Sequence, residues 1–221
     1  MELTRVKKNN LLPIYNIKCA TLGDQGVGKT TMVNTFVSKK IEYNTTATIG
    51  VSYVGVDIDL SENQSVRLKI WDTAGSEKFL SITESYIRNS YIIFIMFDLT
   101  DRHTWANVDY WKNLTKYNNN ELTNIVLIAC KSDLKYQTVN YEEIQEKANL
   151  WDCKWYSLSC KQENSVSMIN KIFQESAERF HEKMVYNNKH GYKVPSAILD
   201  DGEKDKYVNF YEPEKKDYCC M

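Results

Sequence analysis

The sequence lacks the features that mark several protein classes. Its longest apolar run, residues 91–97, has the length of a strand, whereas a transmembrane helix needs about 20 apolar residues. The first 13 residues are mostly polar and charged, with only a Leu11-Leu12 pair, so we expect no secretory signal. Glutamate at position 2 argues against N-myristoylation. The net charge is −1 at pH 7, which gives no electrostatic argument for nucleic-acid binding.

The chain also lacks a disulfide framework. Its six cysteines are not spaced as in small secreted domains. Cys19 and Cys130 lie in strand-like apolar runs, where small buried thiols are expected. These features predict a reducing, cytosolic compartment. The length of 221 residues suits one domain with an extension, or two small domains.

Residues 23–30, with the sequence GDQGVGKT, fit the phosphate-binding pattern G-x-x-x-x-G-K-[ST]. A strand-like run at 14–22 precedes them and a helix-like segment at 31–38 follows, which favours a phosphate loop over a chance glycine-rich turn. Glycine allows successive N–H groups to point at phosphate oxygens, and the helix N-terminus adds a positive dipole end. Lys29 can neutralise the β- and γ-phosphates, and the Thr30 hydroxyl can bind Mg²⁺.

Strand-like and helix-like segments alternate along the chain. We predict strands at 14–22, 51–60, 66–71, 91–97, 124–130 and 154–158, and helices at 31–38, 105–114, 141–151 and 166–180. This order predicts an α/β fold with a six-stranded, mostly parallel sheet flanked by about five helices. Ligands in such folds bind at the carboxyl ends of the strands. We divide the chain into an extension at 1–13, a domain at 14–181 and a flexible tail at 182–221.

Four further stretches fall at the expected ligand-binding edge. Thr48 follows a polar connection and can reach Mg²⁺ and the γ-phosphate. Asp72 ends a strand and can hold the Mg²⁺ water shell, and Gly75 can present its N–H to the γ-phosphate. Asp133 can accept two hydrogen bonds from guanine, a donor pair that adenine lacks, and residues 159–161 can offer an N–H to guanine O6. Each stretch is weak evidence alone, but their order and spacing together are strong evidence.

Over residues 15–181 the sequence resembles the Ras superfamily of small GTPases, and within it the Rab family. TIGVSY at 48–53 is similar to the Rab stretch T-I-G-V-x-F, and WDTAGSEKF at 71–79 to W-D-T-A-G-Q-E-R-F. SYIRNS at 85–90 is similar to the S-Y-x-R that follows, and Asn107, Val108 and Trp111 match N-V-x-x-W. The resemblance implies a P-loop NTPase small G-domain with GTP/GDP and Mg²⁺. It also implies a switch in vesicle traffic, in which loops near 39–50 and 73–87 respond to the γ-phosphate.

The resemblance and the residues together define the candidate site. The catalytic candidates are Lys29, Gly75 and Ser76, and the metal candidates are Thr30, Thr48 and Asp72. The nucleotide-binding candidates are Gly23, Asp24, Gln25, Gly26, Val27, Gly28, Lys29, Thr30, Thr31, Thr48, Gly75, Cys130, Lys131, Asp133, Ser159, Cys160 and Lys161. An effector-facing aromatic trio falls on Tyr53, Trp71 and Tyr86, although half-buried sheet aromatics would give the same pattern.

Paired cysteines near the C-terminus, Cys219 and Cys220, resemble Rab tails that take two geranylgeranyl groups. Two lipids are what stable anchoring requires. The alternative is two unmodified thiols. Lipidation would place the protein in the cytoplasm, peripheral on the cytosolic face of an endomembrane. The resemblance implies effectors, an exchange factor, a GTPase-activating protein, and prenylation and GDI-type escort proteins as partners.

Five positions depart from the family pattern. Ser76 stands where a Gln orients the attacking water, and Gln25 is bulky for the phosphate loop, which together predict slow hydrolysis. A GTP-binding module with little or no hydrolysis is therefore an open alternative. Cys130 replaces the Asn of N-K-x-D, and Ile41 replaces an aromatic that packs on guanine, although Tyr43 is close enough to substitute for it. Thr45 replaces a Tyr that closes over the γ-phosphate, and these changes together predict weaker binding or faster release. A P-loop nucleotide kinase or ATPase is disfavoured by Asp133 and by the short chain.

Overall fold

The computed structural model describes residues 15–41, 50–61, 64–73, 86–118 and 122–190. These ranges contain six strands and five α-helices, with a 3₁₀ turn at Thr115–Asn118. The strands are β1 Tyr15–Leu22, β2 Val51–Ser61, β3 Gln64–Thr73, β4 Ile92–Asp98, β5 Asn124–Cys130 and β6 Lys154–Leu158. The helices are α1 Lys29–Ser38, α2 Arg102–Ala106, α3 Val108–Leu114, α4 Tyr141–Leu150 and α5 Ser165–Lys189.

The strands form one sheet in the order β2-β3-β1-β4-β5-β6. Only the β2–β3 pair is antiparallel among the pairings of the described strands. The predicted α/β fold with a mostly parallel sheet is therefore confirmed. Strand β2 lies at the edge, and from Val54 onward its exposed positions alternate with half-buried or buried ones, as its sequence predicted. The apolar β4 lies at the centre and is buried along its whole length.

Helices cover both faces of the sheet, and alternate side chains of β4 pack against the helices on each face. Ile92, Phe94 and Met96 pack into one core with α1 and α5, while Ile93, Ile95 and Phe97 pack into a second core with α2, α3 and α4. Because side chains alternate along a strand, a continuous apolar run is needed where both faces are covered. Phe36 of α1 stacks on Phe173 of α5 with ring centroids 3.9 Å apart in the first core.

Three helix boundaries differ from the predictions. Helix α1 begins at Lys29 rather than at 31, because the left-handed Gly28 ends the phosphate loop and its carbonyl accepts the first helical bond from the Met32 N–H. The predicted helix near 105–114 is divided at Asn107 into α2 and α3. Helix α5 continues past the predicted domain end at 181 to Lys189, because Met184 extends its buried apolar stripe.

None of the helices in the described ranges combines the length and the apolar composition needed to cross a bilayer.

Candidate functional site

The parallel strands bring the predicted site residues to one edge of the sheet. The phosphate loop follows β1, Asp72 lies near the end of β3, Cys130 ends β5, and Ser159 follows β6. Because β1, β3, β4, β5 and β6 all run parallel to one another, these ends meet at the same edge. The structure thus brings together phosphate-loop, carboxylate and base-loop candidates that lie far apart in sequence.

Gly23 and Gly28 are two of the points at which the backbone of the phosphate loop favours glycine. Gly23 has a φ of 140°, and a Cβ there would collide with the carbonyl oxygen of Met96 on β4. Gly28 has a φ of 115° and immediately precedes α1. Both values lie in the region that favours glycine. Val27 is buried beneath the loop, whereas Gln25 is exposed on it.

Lys29 reaches back across the loop from the first turn of α1. Its ammonium donates to the carbonyl oxygens of Gly23 and Asp24, each at 2.8 Å. Burial lowers the pKa of Lys29 to about 8, and the nearby carboxylates of Asp72 and Asp24 oppose that shift. A buried cation inside a ring of backbone groups favours an anionic ligand, because an anion would offset the desolvation of the ammonium.

Asp72 and Thr30 form the candidate metal site. The Thr30 hydroxyl donates to one carboxylate oxygen of Asp72 at 2.6 Å, and the Thr21 hydroxyl donates to the other at 2.9 Å. Only 2% of the Asp72 surface is exposed. The structure therefore brings two of the three predicted metal-binding residues into contact. Thr48, Gly75 and Ser76 lie outside the described residues, so their roles stay predictions.

Cys130 and Lys131 end β5 at the predicted base site. The Cys130 thiol is buried, as its sequence context predicted, and burial raises its pKa well above the usual value. The Lys131 ammonium forms an ion pair with Asp98 at 2.5 Å. Burial raises the pKa of Asp98, but hydrogen bonds from Lys131 and Thr100 outweigh it and hold that pKa below its ordinary value. Lys131 is thereby fixed between β4 and β5.

Asp133 and the loop after β6 complete the base site. Asp133 is half-buried, and its carboxylate has no hydrogen bond to the described part of the chain. The Lys161 N–H donates to the Ser159 hydroxyl at 3.1 Å. Within the same described residues the Cys160 N–H has no backbone acceptor, so it is the better candidate donor to a base. Ser165 steadies this loop by donating to the Ser159 carbonyl at 2.6 Å.

The sequence interpretation missed several residues that shape the site. Thr21 is a polar residue in a largely apolar strand, as are Asn16 and Lys18, so the sequence offered only a weak signal for it. Asp24 accepts hydrogen bonds from the Asn107 amide at 2.8 Å and from the Trp111 indole N–H at 2.7 Å. Asn107 and Trp111 had been noted only as part of the family resemblance. No local pattern could predict these contacts, because more than 80 residues separate the partners.

Two members of the predicted aromatic trio are neighbours. Tyr53 and Trp71 are paired across β2 and β3, and their ring centroids are 4.6 Å apart. The Lys18 ammonium lies 4.8 Å from the Trp71 ring centroid and donates to the Arg88 carbonyl at 2.7 Å. Tyr53 is 53% exposed and Tyr86 is 37% exposed, whereas Trp71 is half-buried. The pair therefore offers an aromatic surface beside the segment that contains Tyr86.

Comparison with known proteins gives consistent matches. The sequence model of the Ras family matches residues 18–182. The chain is 30% identical over 171 residues to Ras-related protein SEC4 of Saccharomyces cerevisiae, covering 77% of this chain and 78% of that protein. It is also 30% identical over 167 residues to a probable Rab-related GTPase of Acanthamoeba polyphaga mimivirus, covering 75% and 76% of the two chains.

Proposed function

The chain belongs to the Ras family, as a divergent Rab-like small GTPase, and on that premise we propose that it is a GTP/GDP-controlled switch with slow intrinsic hydrolysis. The observation that carries the proposal is the contact between Thr30 and Asp72 beside the buried Lys29 ammonium. It joins the phosphate loop to the end of β3 at the edge of the sheet where a nucleotide would bind.

The residues present fit a phosphate chain and Mg²⁺. Thr30 would supply a hard oxygen ligand, which Mg²⁺ prefers, Asp72 in contact with it would hold the Mg²⁺ water shell, and Thr48 is the proposed further ligand. A bound Mg²⁺ would neutralise negative charge on the β- and γ-phosphate oxygens. Lys29 would transfer its hydrogen bonds from the loop carbonyls to phosphate oxygens, and N–H groups of residues 25–30 would bind the remaining oxygens.

Guanine selection is proposed for Asp133, with support from the loop after β6. The Asp133 carboxylate would accept from N1–H and the 2-amino group of guanine, and the Cys160 N–H would donate to O6. The Lys131 stem would pack along the base, because its ammonium is held by Asp98. Cys130 offers a thiol in place of an amide, so we expect this base loop to be tied less firmly than in other Rab-like proteins.

Hydrolysis is proposed to be slow. Gly75 would bind the γ-phosphate through its N–H, while Ser76 is too short to orient water as a Gln does. Gln25 supports a second candidate function, a binding module that holds GTP with little hydrolysis. Its side chain is exposed on the phosphate loop, where it could obstruct a residue supplied by an activating protein. The two functions differ in the rate of GTP turnover and agree in nucleotide binding.

A role in vesicle traffic on the cytosolic face of an endomembrane is the finer part of the proposal. The Rab-related relatives support it, and Cys219 and Cys220 would carry the lipid anchor. The proposed effector surface consists of Tyr53, Trp71 and Tyr86. Exchange factors, activating proteins and GDI-type escorts would act on the loops near 39–50 and 73–87. We propose no nucleic-acid partner.

Base selectivity tests the proposal most simply. Binding of GDP, IDP and ADP to the purified chain with Mg²⁺ is measured by competition against a fluorescent GDP. We expect GDP to bind more tightly than IDP, which lacks the 2-amino group, and far more tightly than ADP. Asp133→Ala should abolish the preference for GDP over IDP. Leu134→Ala is the control, because this exposed neighbour lies outside the proposed site. Equal binding of ADP and GDP by the unmodified chain would contradict the function.

A further inference from the structure

Asp24 is the one acidic residue within the stretch 23–30 that we propose binds phosphates. A free carboxylate in that loop would repel a bound polyphosphate. Instead, both of its oxygens accept hydrogen bonds, one from the Asn107 amide at 2.8 Å and one from the Trp111 indole N–H at 2.7 Å. Both distances are those of good hydrogen bonds, and bonds to a charged acceptor are the stronger kind.

The two donors are held in place independently of the loop. Trp111 is buried in the core between the sheet and α2–α4. Asn107 joins α2 to α3, because its N–H donates to the His103 carbonyl and its own carbonyl accepts from the Trp111 N–H. The donors therefore form a fixed pair into which the Asp24 carboxylate fits.

The backbone of the same residue contacts Lys29. The Asp24 carbonyl accepts from the Lys29 ammonium at 2.8 Å, while the Asp24 side chain is bound to α3 and its N-terminal junction. Asp24 thus contacts both Lys29 in the phosphate loop and the helix α3. Movement of its carboxylate would shift the loop backbone at Asp24 and would displace the exposed Gln25 that follows.

We propose that Asn107 and Trp111 are positioning residues for the phosphate loop. They hold the Asp24 carboxylate against α3, which keeps its negative charge away from bound phosphates and fixes the loop N–H groups. The inference rests on the proposed function, because it assumes that this loop binds a nucleotide diphosphate or triphosphate. It predicts that Asn107 and Trp111 affect the binding of the nucleotide's phosphates and do not affect the binding of its base.

The test uses the full chain with Asn107→Ala and Trp111→Phe. The second change removes the indole N–H together with part of the ring volume, and it keeps an aromatic ring in the core. Affinities for GDP and GMP are measured by competition, since GMP lacks the β-phosphate that the loop would bind. We expect each variant to bind GDP roughly ten-fold more weakly, as loss of a hydrogen bond to a charged group implies, with GMP affinity unchanged.

Two further measurements separate positioning from a general loss of structure. Both substitutions are repeated in an Asp24→Ala background, where they should have no further effect on GDP binding, because the acceptor is gone. Trp155→Phe is the matched control: it removes the indole bond to Gln145 at 2.9 Å, away from the loop, and should leave GDP affinity unchanged.

Each outcome is decisive. Unchanged GDP affinity in both variants would overturn the inference while leaving the proposed function intact. Parallel losses of GDP and GMP affinity, or losses that persist in the Asp24→Ala background, would also overturn it. If the unmodified chain binds neither nucleotide, the proposed function itself fails and this inference fails with it.

Discussion

Thr21 allows a sharp test of the polar network beneath the candidate metal site. Thr21 and Thr35 are both fully buried. The Thr21 hydroxyl donates to Asp72 at 2.9 Å, whereas the Thr35 hydroxyl has no hydrogen-bond partner within the described residues. Replacing each by Val keeps the shape and removes the hydroxyl. The two substitutions therefore differ in two ways: at Thr21 a buried carboxylate loses a donor, and the Thr73 N–H loses a long hydrogen bond of 3.4 Å to the same hydroxyl.

We expect Thr21→Val to lower the free energy of unfolding by about 1.5–3 kcal/mol, the range for a hydrogen bond to a charged group. For a chain of this length that corresponds to a fall in Tm of roughly 3–12 °C. Thr35→Val should be neutral or stabilising, because it removes a buried hydroxyl without a partner, and Thr and Val have similar helix propensities.

The assay is urea unfolding followed by tryptophan fluorescence, with EDTA and two fixed GDP concentrations. Two concentrations are needed because bound nucleotide adds to the apparent stability, and its share can then be subtracted. Equal free energies of unfolding for Thr21→Val and Thr35→Val, within about 0.5 kcal/mol, would refute the claim that the Thr21 hydroxyl supports Asp72.

Three further predictions concern hydrolysis, nucleotide release and the tail. Ser76→Gln should raise the single-turnover rate of GTP hydrolysis at least several-fold, because it restores a side chain able to orient water. An unchanged rate would show that Ser76 is not the cause of slow hydrolysis. Cys130→Asn should slow release of a fluorescent GDP by roughly ten-fold, since an amide can tie the base loop where a thiol cannot; faster release would contradict this. Intact-mass analysis from native cells should show two lipid adducts, lost in a Cys219→Ser/Cys220→Ser variant, and their absence from the unmodified chain would refute lipidation.

Local sequence patterns predicted much of the fold. The bounds of β5 and β6 agreed with the structure, because each is a short run that polar or turn-forming residues delimit at both ends. The end of α5 was wrong because one more buried position, Met184, continues the helical stripe after charged residues that suggested a tail. The break at Asn107 was missed because apolar spacing continues through it.

The candidate site was predictable where a single residue type carries the chemistry. The phosphate loop, Lys29, Thr30 and Asp72 follow from glycine, ammonium, hydroxyl and carboxylate groups at strand ends. The contacts of Asp24 with Asn107 and Trp111 were not predictable, because they depend on how β1 and α3 come together in the fold. The roles of Thr48, Gly75 and Ser76 stay predictions, as does the lipidation of the tail.

The fate of bound nucleotide tests the central claim most directly. The purified full chain is loaded with GTP and Mg²⁺, and the ratio of GTP to GDP on the protein is followed by chromatography. The account predicts retained nucleotide and slow conversion, on the order of 10⁻⁴ per second. Retained GTP with no conversion would contradict the hydrolysing switch and favour the binding module, and a chain that retains no guanine nucleotide would contradict both.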